Sequence, residues 1–233
     1  KELFLSEDDR STAVFAFGRF NPPTIGHLKL IERVQSVAQQ KDGIGYIFLS
    51  HSQNTKKDPL SFQQKLNYLK SQVQDPNISF GHPQAKTIIQ ALQVIQAQGR
   101  TRIIMIAGSD RVTEFKKLLN QYNGKPDKAG NELYKFDYIE VVSAGERDPD
   151  AEGVSGASAS KARELAAKGQ WHEFARIALG GSNSKVIYDQ IQDALGVEVA
   201  LTNQKLYTEA MNEKPIVYLD MDGVLADFFG GVE

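Results

Sequence analysis

Near its amino end the chain carries the stretch "GRFNPPTIGH", Gly18 to His27, whose residue types suit the binding of a polyanion. The N-terminus of a helix presents unpaired backbone N–H groups and a partial positive charge, so a turn leading into a helix is a natural phosphate cradle. Gly18 lets the preceding segment turn sharply, and Pro22 and Pro23 stiffen that turn. Gly26 lets a phosphate approach the backbone closely. His27, in the first helical turn, can donate a ring N–H to a phosphate oxygen, as can the Thr24 hydroxyl. Taken residue by residue, the same stretch also reads as a turn and a capped helix with an incidental histidine. The surrounding elements decide between the two.

"TAVFAFG", Thr12 to Gly18, is a continuous apolar run of strand length, as expected of a buried strand. In "GHLKLIERVQSVAQQ", Leu28, Leu30, Ile31, Val34 and Val37 recur at near-helical spacing, which predicts an amphipathic helix. The pattern repeats: a strand at "IGYIFLS", a helix at "SFQQKLNYLKSQV" with Ser61 placed to cap it, a helix at "KTIIQALQVIQAQG", a strand at "RIIMIAG", a helix at "DRVTEFKKLLNQY", a strand at "DYIEVVSAG" and a helix at "SASKARELAAKG". "NGKPDKAGNE" is a polar, turn-rich loop. Strands apolar on both faces, alternating with helices, predict an α/β fold: a Rossmann-like, doubly wound parallel sheet with helices on both faces. Ligands of such sheets sit at the carboxyl ends of the strands, near the switch point in strand order. "GRFNPPTIGH", "AGSD" and the segment running into "SASKAR" each follow the carboxyl end of a predicted strand. The fold therefore brings them to one crevice.

After Gly169 the alternation stops. A helical extension is expected over 170–213, with helices at "WHEFARIAL", "KVIYDQIQDALG" and Thr202–Met211, followed by one extra strand in 214–233. The organisation so read is a main domain over 1–169, the extension over 170–213 and a new element over 214–233.

The chain has 233 residues, 41% of them hydrophobic and 24% charged, ordinary values for a folded protein. The net charge of −2 supplies no global field to recruit nucleic acid. There is no cysteine, which excludes disulfides and thiolate metal sites. The four histidines, His27, His51, His82 and His172, have no metal-ligand spacing. No apolar run spans a bilayer, and "KELFLSEDDRST" has no secretory pattern. The expectation is a cytoplasmic protein without membrane or nucleic-acid partners.

Taken whole, Gly18–His27 resembles the G-x-F-x-P-x-(H/T)-x-G-H signature of the nucleotidyltransferase superfamily, with Gly18, Phe20, Pro22, Thr24, Gly26 and His27 filling all six positions. "SASKAR", Ser158 to Arg163, resembles that family's S-S-T-x-I-R segment, which opens a late helix. Ser158, Ser160 and Arg163 match in type; Ala159 and Ala162 depart. The resemblance covers about Thr12 to Lys168. More loosely, "NTKKDPLSFQQKLNYL" resembles the N-P-x-K…S-x-x-x-R-x-x-x-L segment of nicotinate- and nicotinamide-mononucleotide adenylyltransferases. There Lys56 or Lys57 would meet a substrate phosphate, and Lys65 stands where Arg is usual. "AGSDRVTEF" resembles their G-(A/S)-D-x-x-x-x-F region, with Gly108, Ser109 and Asp110 near the substrate base or ribose. Asp110 also reads as a helix cap. The aromatic that stacks on the pyridine ring in those enzymes is not identifiable.

The resemblance implies transfer of a nucleoside monophosphate, AMP from ATP by default, to a small phosphate-bearing acceptor such as nicotinamide mononucleotide, with release of pyrophosphate. It implies that His27 and Thr24 contact the α- and β-phosphates, and that Ser158, Ser160 and the amides of their helix hold the β- and γ-phosphates. Arg163, with Lys161, would neutralise the departing pyrophosphate. Gly18, Arg19, Phe20, Asn21 and Gly26 would line the nucleotide site, and Mg²⁺ would travel on the phosphates.

"VYLDMDGVLADFF" resembles motif I of the haloacid-dehalogenase-like phosphatases, D-x-D-G-(V/T)-L-x-D. Asp220 would be the nucleophile and Asp222 the acid/base, with Mg²⁺ between carboxylates only if that domain is complete. The sequence ends at Glu233, before the later motifs of that fold, so the natural protein is expected to continue or to have lost its tail. Such fusions occur in bacteriophage proteins, which implies a phage origin and a place in the host cytoplasm or virion. Two other functions stand beside the transferase: a phosphatase whose main domain lies elsewhere, and a non-catalytic nucleotide-binding or virion component that keeps the fold.

Overall fold

The computed structural model of the protein describes residues 11–145 and 157–197. The chain divides into two units, Lys1–Gly196 and Val197–Glu233. All the described strands and helices belong to the first unit. The helix expected at Thr202–Met211 and the strand expected to carry Asp220 and Asp222 lie outside the described residues.

Five parallel strands form one sheet: β1 (Thr12–Gly18), β2 (Ile44–Leu49), β3 (Ile78–Phe80), β4 (Arg102–Ala107) and β5 (Tyr138–Ser143). Their order is β3-β2-β1-β4-β5. Seven helices alternate with or follow them: α1 (Ile25–Gln40), α2 (Phe62–Gln72), α3 (Ile88–Ala97), α4 (Val112–Tyr122), α5 (Ala159–Ala167), α6 (Trp171–Ile177) and α7 (Lys185–Leu195). Strand order reverses between β1 and β4, which pair directly from Thr12↔Arg102 to Phe15↔Met105. The Rossmann-like doubly wound sheet follows as expected, with one addition. β3 has three residues, too few to show a period in sequence, and it is held in place by its pairing with β2, Gly45↔Ile78 to Ile47↔Phe80.

The two-residue period of β1 builds both layers. Val14 and Ala16 point into a core with Ile31 and Val34 of α1, Leu69 of α2, Ala162 of α5, Phe174 of α6 and Ile187 and Ile191 of α7. Ala13 and Phe15 point into the opposite core with Leu92 and Ile95 of α3 and Leu119 of α4. Each of the larger of these side chains (Val, Leu, Ile or Phe), wholly removed from water, stabilises the fold by about 1.5–3 kcal/mol. The helices beyond Gly169 thus share the core of the sheet layer that carries α1. Among the described residues no helix is long and apolar enough to cross a membrane.

Candidate functional site

The connection from β1 to α1 is shaped by close packing. Phe20 is 1% exposed and has φ +49°, an uncommon conformation for a residue with a side chain. Its ring lies against the His27 ring, centroids 4.6 Å apart. A Cβ on Gly18 would come within 2.8 Å of that phenyl ring, so glycine is required there by space. Asn21, fully buried, donates through Nδ2 to the Leu60 carbonyl at 2.9 Å and accepts the Leu60 N–H on Oδ1 at 3.0 Å. That pair ties the loop to the connection between β2 and α2.

Thr24 is the N-cap of α1. Its backbone N–H donates to His27 Nδ1 at 3.0 Å, with histidine taking the reciprocal place that Glu or Gln holds in a capping box. Because Nδ1 accepts, the neutral ring carries its proton on Nε2. The fully buried Thr24 hydroxyl donates to the Ala157 carbonyl at 3.1 Å and lies 2.9 Å from His27 Nδ1. The carbonyl of Pro23 accepts the Leu179 N–H at 3.2 Å, and Thr24 forms an isolated bridge with Ala178. The turn after α6 therefore buttresses the loop.

The second segment arrives at the same place. Ser158 caps α5, its hydroxyl accepting the Lys161 N–H at 3.1 Å. Arg163, on the next turn, donates from Nη1 to the Asn21 carbonyl at 2.5 Å and from Nη2 to Ser160 Oγ at 3.1 Å. Burial holds its guanidinium below the usual arginine range, against the upward pull of Asp58. Gly26 closes the junction: a Cβ there would stand 2.8 Å from the Ala157 carbonyl oxygen. The close approach expected of Gly26 is thus made first by the chain's own Ala157. Lys161 lies near Glu164, 3.5 Å away, on the exposed side of α5.

Three residues read from sequence as ligand contacts have polar groups that bond within the protein. The polar groups of Thr24 and Asn21 are engaged on protein partners, as above. Lys65 is fully buried, and its ammonium donates to the carbonyls of Arg19 at 2.9 Å and Ser50 at 2.7 Å. It ties the carboxyl ends of β1 and β2 together from beneath. Burial pulls its pKa down to about 8, opposed by Asp58 and reinforced by Arg19. The reason is common to all three: a loop this tightly packed needs its own polar groups satisfied before it can hold a ligand.

Lys56 and Lys57 are exposed at the tip of a pinched loop, where both backbone N–H groups donate to Asn54 Oδ1. Gly108, Ser109 and Asp110 follow β4, next to β1 across the switch point, with Ser109 and Asp110 exposed in a short 3₁₀ turn. The neighbouring Arg111 is paired with Glu114 at 2.7 Å. Arg19 is exposed, and its Nη1 lies 4.0 Å from Asp58 Oδ1. Asp220 and Asp222 lie outside the described residues.

Two residues at this end of the sheet are not singled out by the sequence. His51 stacks on Phe62, ring centroids 3.9 Å apart, and its Nε2 lies 3.2 Å from the His82 carbonyl; burial lowers its pKa. Asp58 is buried beneath Arg19. The one signal for it in sequence is an acid standing among the lysines of "NTKKDPL".

The family model described as cytidylyltransferase-like matches residues 15–164. Among solved structures, the chain is similar to Plasmodium falciparum nicotinic acid mononucleotide adenylyltransferase complexed with APC, at 14% identity and a TM-score of 0.50, covering 84% of this chain and 97% of that one. The same enzyme complexed with NaAD matches at 14% identity and a TM-score of 0.47, with the same shares covered. At such identity the first likeness bears on the fold alone. A comparison with curated protein sequences finds no match.

Proposed function

Because the chain belongs to the cytidylyltransferase-like family, and is by that membership a nucleotidyltransferase, we propose that it transfers AMP from ATP to a small phosphate-bearing acceptor, with nicotinamide mononucleotide the first to test. The observation that carries this reading is the junction of the two signature segments. Thr24 is bonded to Ala157, and Arg163 to Asn21, so His27, the start of α5 and Arg163 share one end of the sheet.

In the reaction an oxygen of the acceptor phosphate attacks the α-phosphorus. A new P–O bond forms, the bond from the α-phosphorus to the bridging oxygen breaks, and pyrophosphate leaves with that electron pair. The attacking oxygen is already an anion near neutral pH, so no general base is needed. The protein contributes alignment and charge stabilisation. His27, with its proton held on Nε2 by the Thr24 N–H, donates to a non-bridging phosphate oxygen. A guanidinium carries five N–H donors, enough for Arg163 to hold Asn21 and meet pyrophosphate oxygens as well. The amides opening α5, with Ser158, Ser160 and Lys161, face the outer phosphates.

In this reading Mg²⁺ would travel on the triphosphate and would lower the charge that the attacking anion must approach. The buried carboxylate at this end, Asp58, interacts with Arg19, Lys65 and Arg163, so the side chains here suit phosphate better than metal. Lys56 and Lys57, with Gly108, Ser109 and Asp110, are assigned to the acceptor side.

The test is a panel of four nucleoside triphosphates against nicotinamide mononucleotide, nicotinate mononucleotide and small phosphorylated alcohols, with pyrophosphate release as the readout. ATP-dependent release with a pyridine mononucleotide supports the reading. Release with CTP alone overturns the choice of nucleotide. No release with any pair overturns the proposed reaction.

A further inference from the structure

Asp58 has an unusual position for a carboxylate. It is 7% exposed, and among the described residues its Oδ1 is buried without a hydrogen-bond partner. Its backbone is pinned by paired bonds with Asn54, at 3.0 and 2.9 Å. A buried, unsatisfied carboxylate oxygen is costly and calls for an explanation. Three cations from three different elements supply one. Arg19, from the loop after β1, lies 4.0 Å away. Lys65 of α2 and Arg163 of α5 both interact with Asp58 electrostatically. Two of these cations also hold carbonyls of the signature loop, Lys65 that of Arg19 and Arg163 that of Asn21. Left without an anion, the three would repel one another: Arg19 opposes the charged form of both Lys65 and Arg163. A divalent metal is a poor occupant, since it would join three positive charges already present.

We propose that Asp58 is a resident counter-ion of the nucleotide pocket, a positioning residue that balances Arg19, Lys65 and Arg163 while no polyphosphate is bound and competes with pyrophosphate for them afterwards. The proposal rests on the transferase reading above. Asp58 touches no reacting atom. It keeps the cations assembled under the loop and weakens their hold on a polyanion by one unit of charge. The consequence is directional: removing the negative charge tightens binding of pyrophosphate and slows its departure.

Two measurements on the full chain test this. Calorimetric titration with inorganic pyrophosphate should give about fivefold tighter binding to Asp58→Asn than to the parent at low salt, the order expected of one unit charge at a few ångströms in a wet pocket. In turnover with ATP, the same variant should show a lower kcat, an unchanged or lower KM for ATP, and stronger inhibition by added pyrophosphate. A purely structural role would instead lower the melting temperature and leave the pyrophosphate affinity of the folded fraction alone. Pyrophosphate binding unchanged or weaker in a folded Asp58→Asn overturns the proposal and leaves the transferase reading standing. A parent that binds neither pyrophosphate nor ATP overturns both. Should Asp58→Asn fail to fold, Arg19→Gln carries the test: the Lys65 ammonium, followed by NMR of lysine-labelled protein, should titrate higher than in the parent, because Arg19 opposes its charged form. A midpoint that does not move shows that the cluster is not coupled and overturns the proposal.

Discussion

The Thr24 hydroxyl and the Ala157 carbonyl, 133 positions apart in sequence, meet at 3.1 Å. This bond joins the cap of α1 to the residue that precedes the cap of α5. Two helix N-termini are thereby fixed relative to one another, and with them the N–H groups that the proposed reaction assigns to the triphosphate. Within the signature Thr24 thus makes two ties to the protein: its backbone N–H holds the His27 ring and its hydroxyl holds the second segment.

His27→Ala should lower turnover by about two orders of magnitude, by analogy with the loss of one preorganised donor to a transition-state oxyanion. Pyrophosphate release under saturating ATP checks it. A purified, folded variant that keeps parental turnover removes His27 from the mechanism.

Gly26→Ala places a methyl 2.8 Å from the Ala157 oxygen, so the two segments must part or the loop must shift. Overpacking of this kind costs about 1–3 kcal/mol, and displacement of reacting groups by about an ångström costs on the order of a hundredfold in rate. Thermal melting together with turnover should show a modest loss of stability and a large loss of activity. Activity that follows stability alone would count against the junction as the organiser of the pocket.

Arg163→Lys keeps the charge and loses the fork that reaches both Asn21 and Ser160. An ammonium cannot reproduce the planar donor set. A fall in kcat/KM for the triphosphate of about tenfold or more is expected from the loss of one charge-assisted hydrogen bond. Near-parental kinetics would show that charge alone suffices.

Lys65 gives a pH dependence of definite sign. Its pKa is near 10.5 in the unfolded chain and about 8 in the fold, lowered first by burial. Between those values the unfolded chain binds the extra proton, so the stability contributed by this group rises with pH and is at its poorest below about 8. Relative to Lys65→Met, the parent should gain stability from pH 8 towards pH 10, by at most about 1.4 kcal/mol per pH unit. Above about pH 10.5 the difference should level off, while the stability of each protein taken alone falls, because burial pushes Tyr68 and Tyr134 up to about 12 and their unfolded forms lose protons first. Chemical denaturation of the two proteins across this range checks the sign. A difference that is flat or falls between pH 8 and pH 10 would show that Lys65 is not held as described.

Local pattern is enough to read most of this fold. The apolar run at Thr12–Gly18 becomes β1, the helical spacing of Ile31, Val34 and Val37 becomes the buried face of α1, and Ser61 caps α2 as its type and place imply. These features depend on periodicity and on sterics within a few residues, which sequence carries directly. The strand Ile78–Phe80 is not legible, because three residues have no period and only pairing with β2 makes them a strand.

The amino-acid sequence by itself determined that a loop shaped by glycine and proline and a serine-capped helix follow the carboxyl ends of parallel strands. Only the tertiary structure decided which polar groups are engaged on the protein itself. Thr24, Asn21 and Lys65 carry donors of the right type for phosphate, yet each donates to a carbonyl supplied by a distant segment, Ala157, Leu60 and Ser50 respectively. Asp58 reads as one acid among surface lysines until three elements fold around it. The physical reason is that a hydrogen bond or a charge pair is fixed by distance in space, and those distances are set by the closing of the whole sheet and its layers.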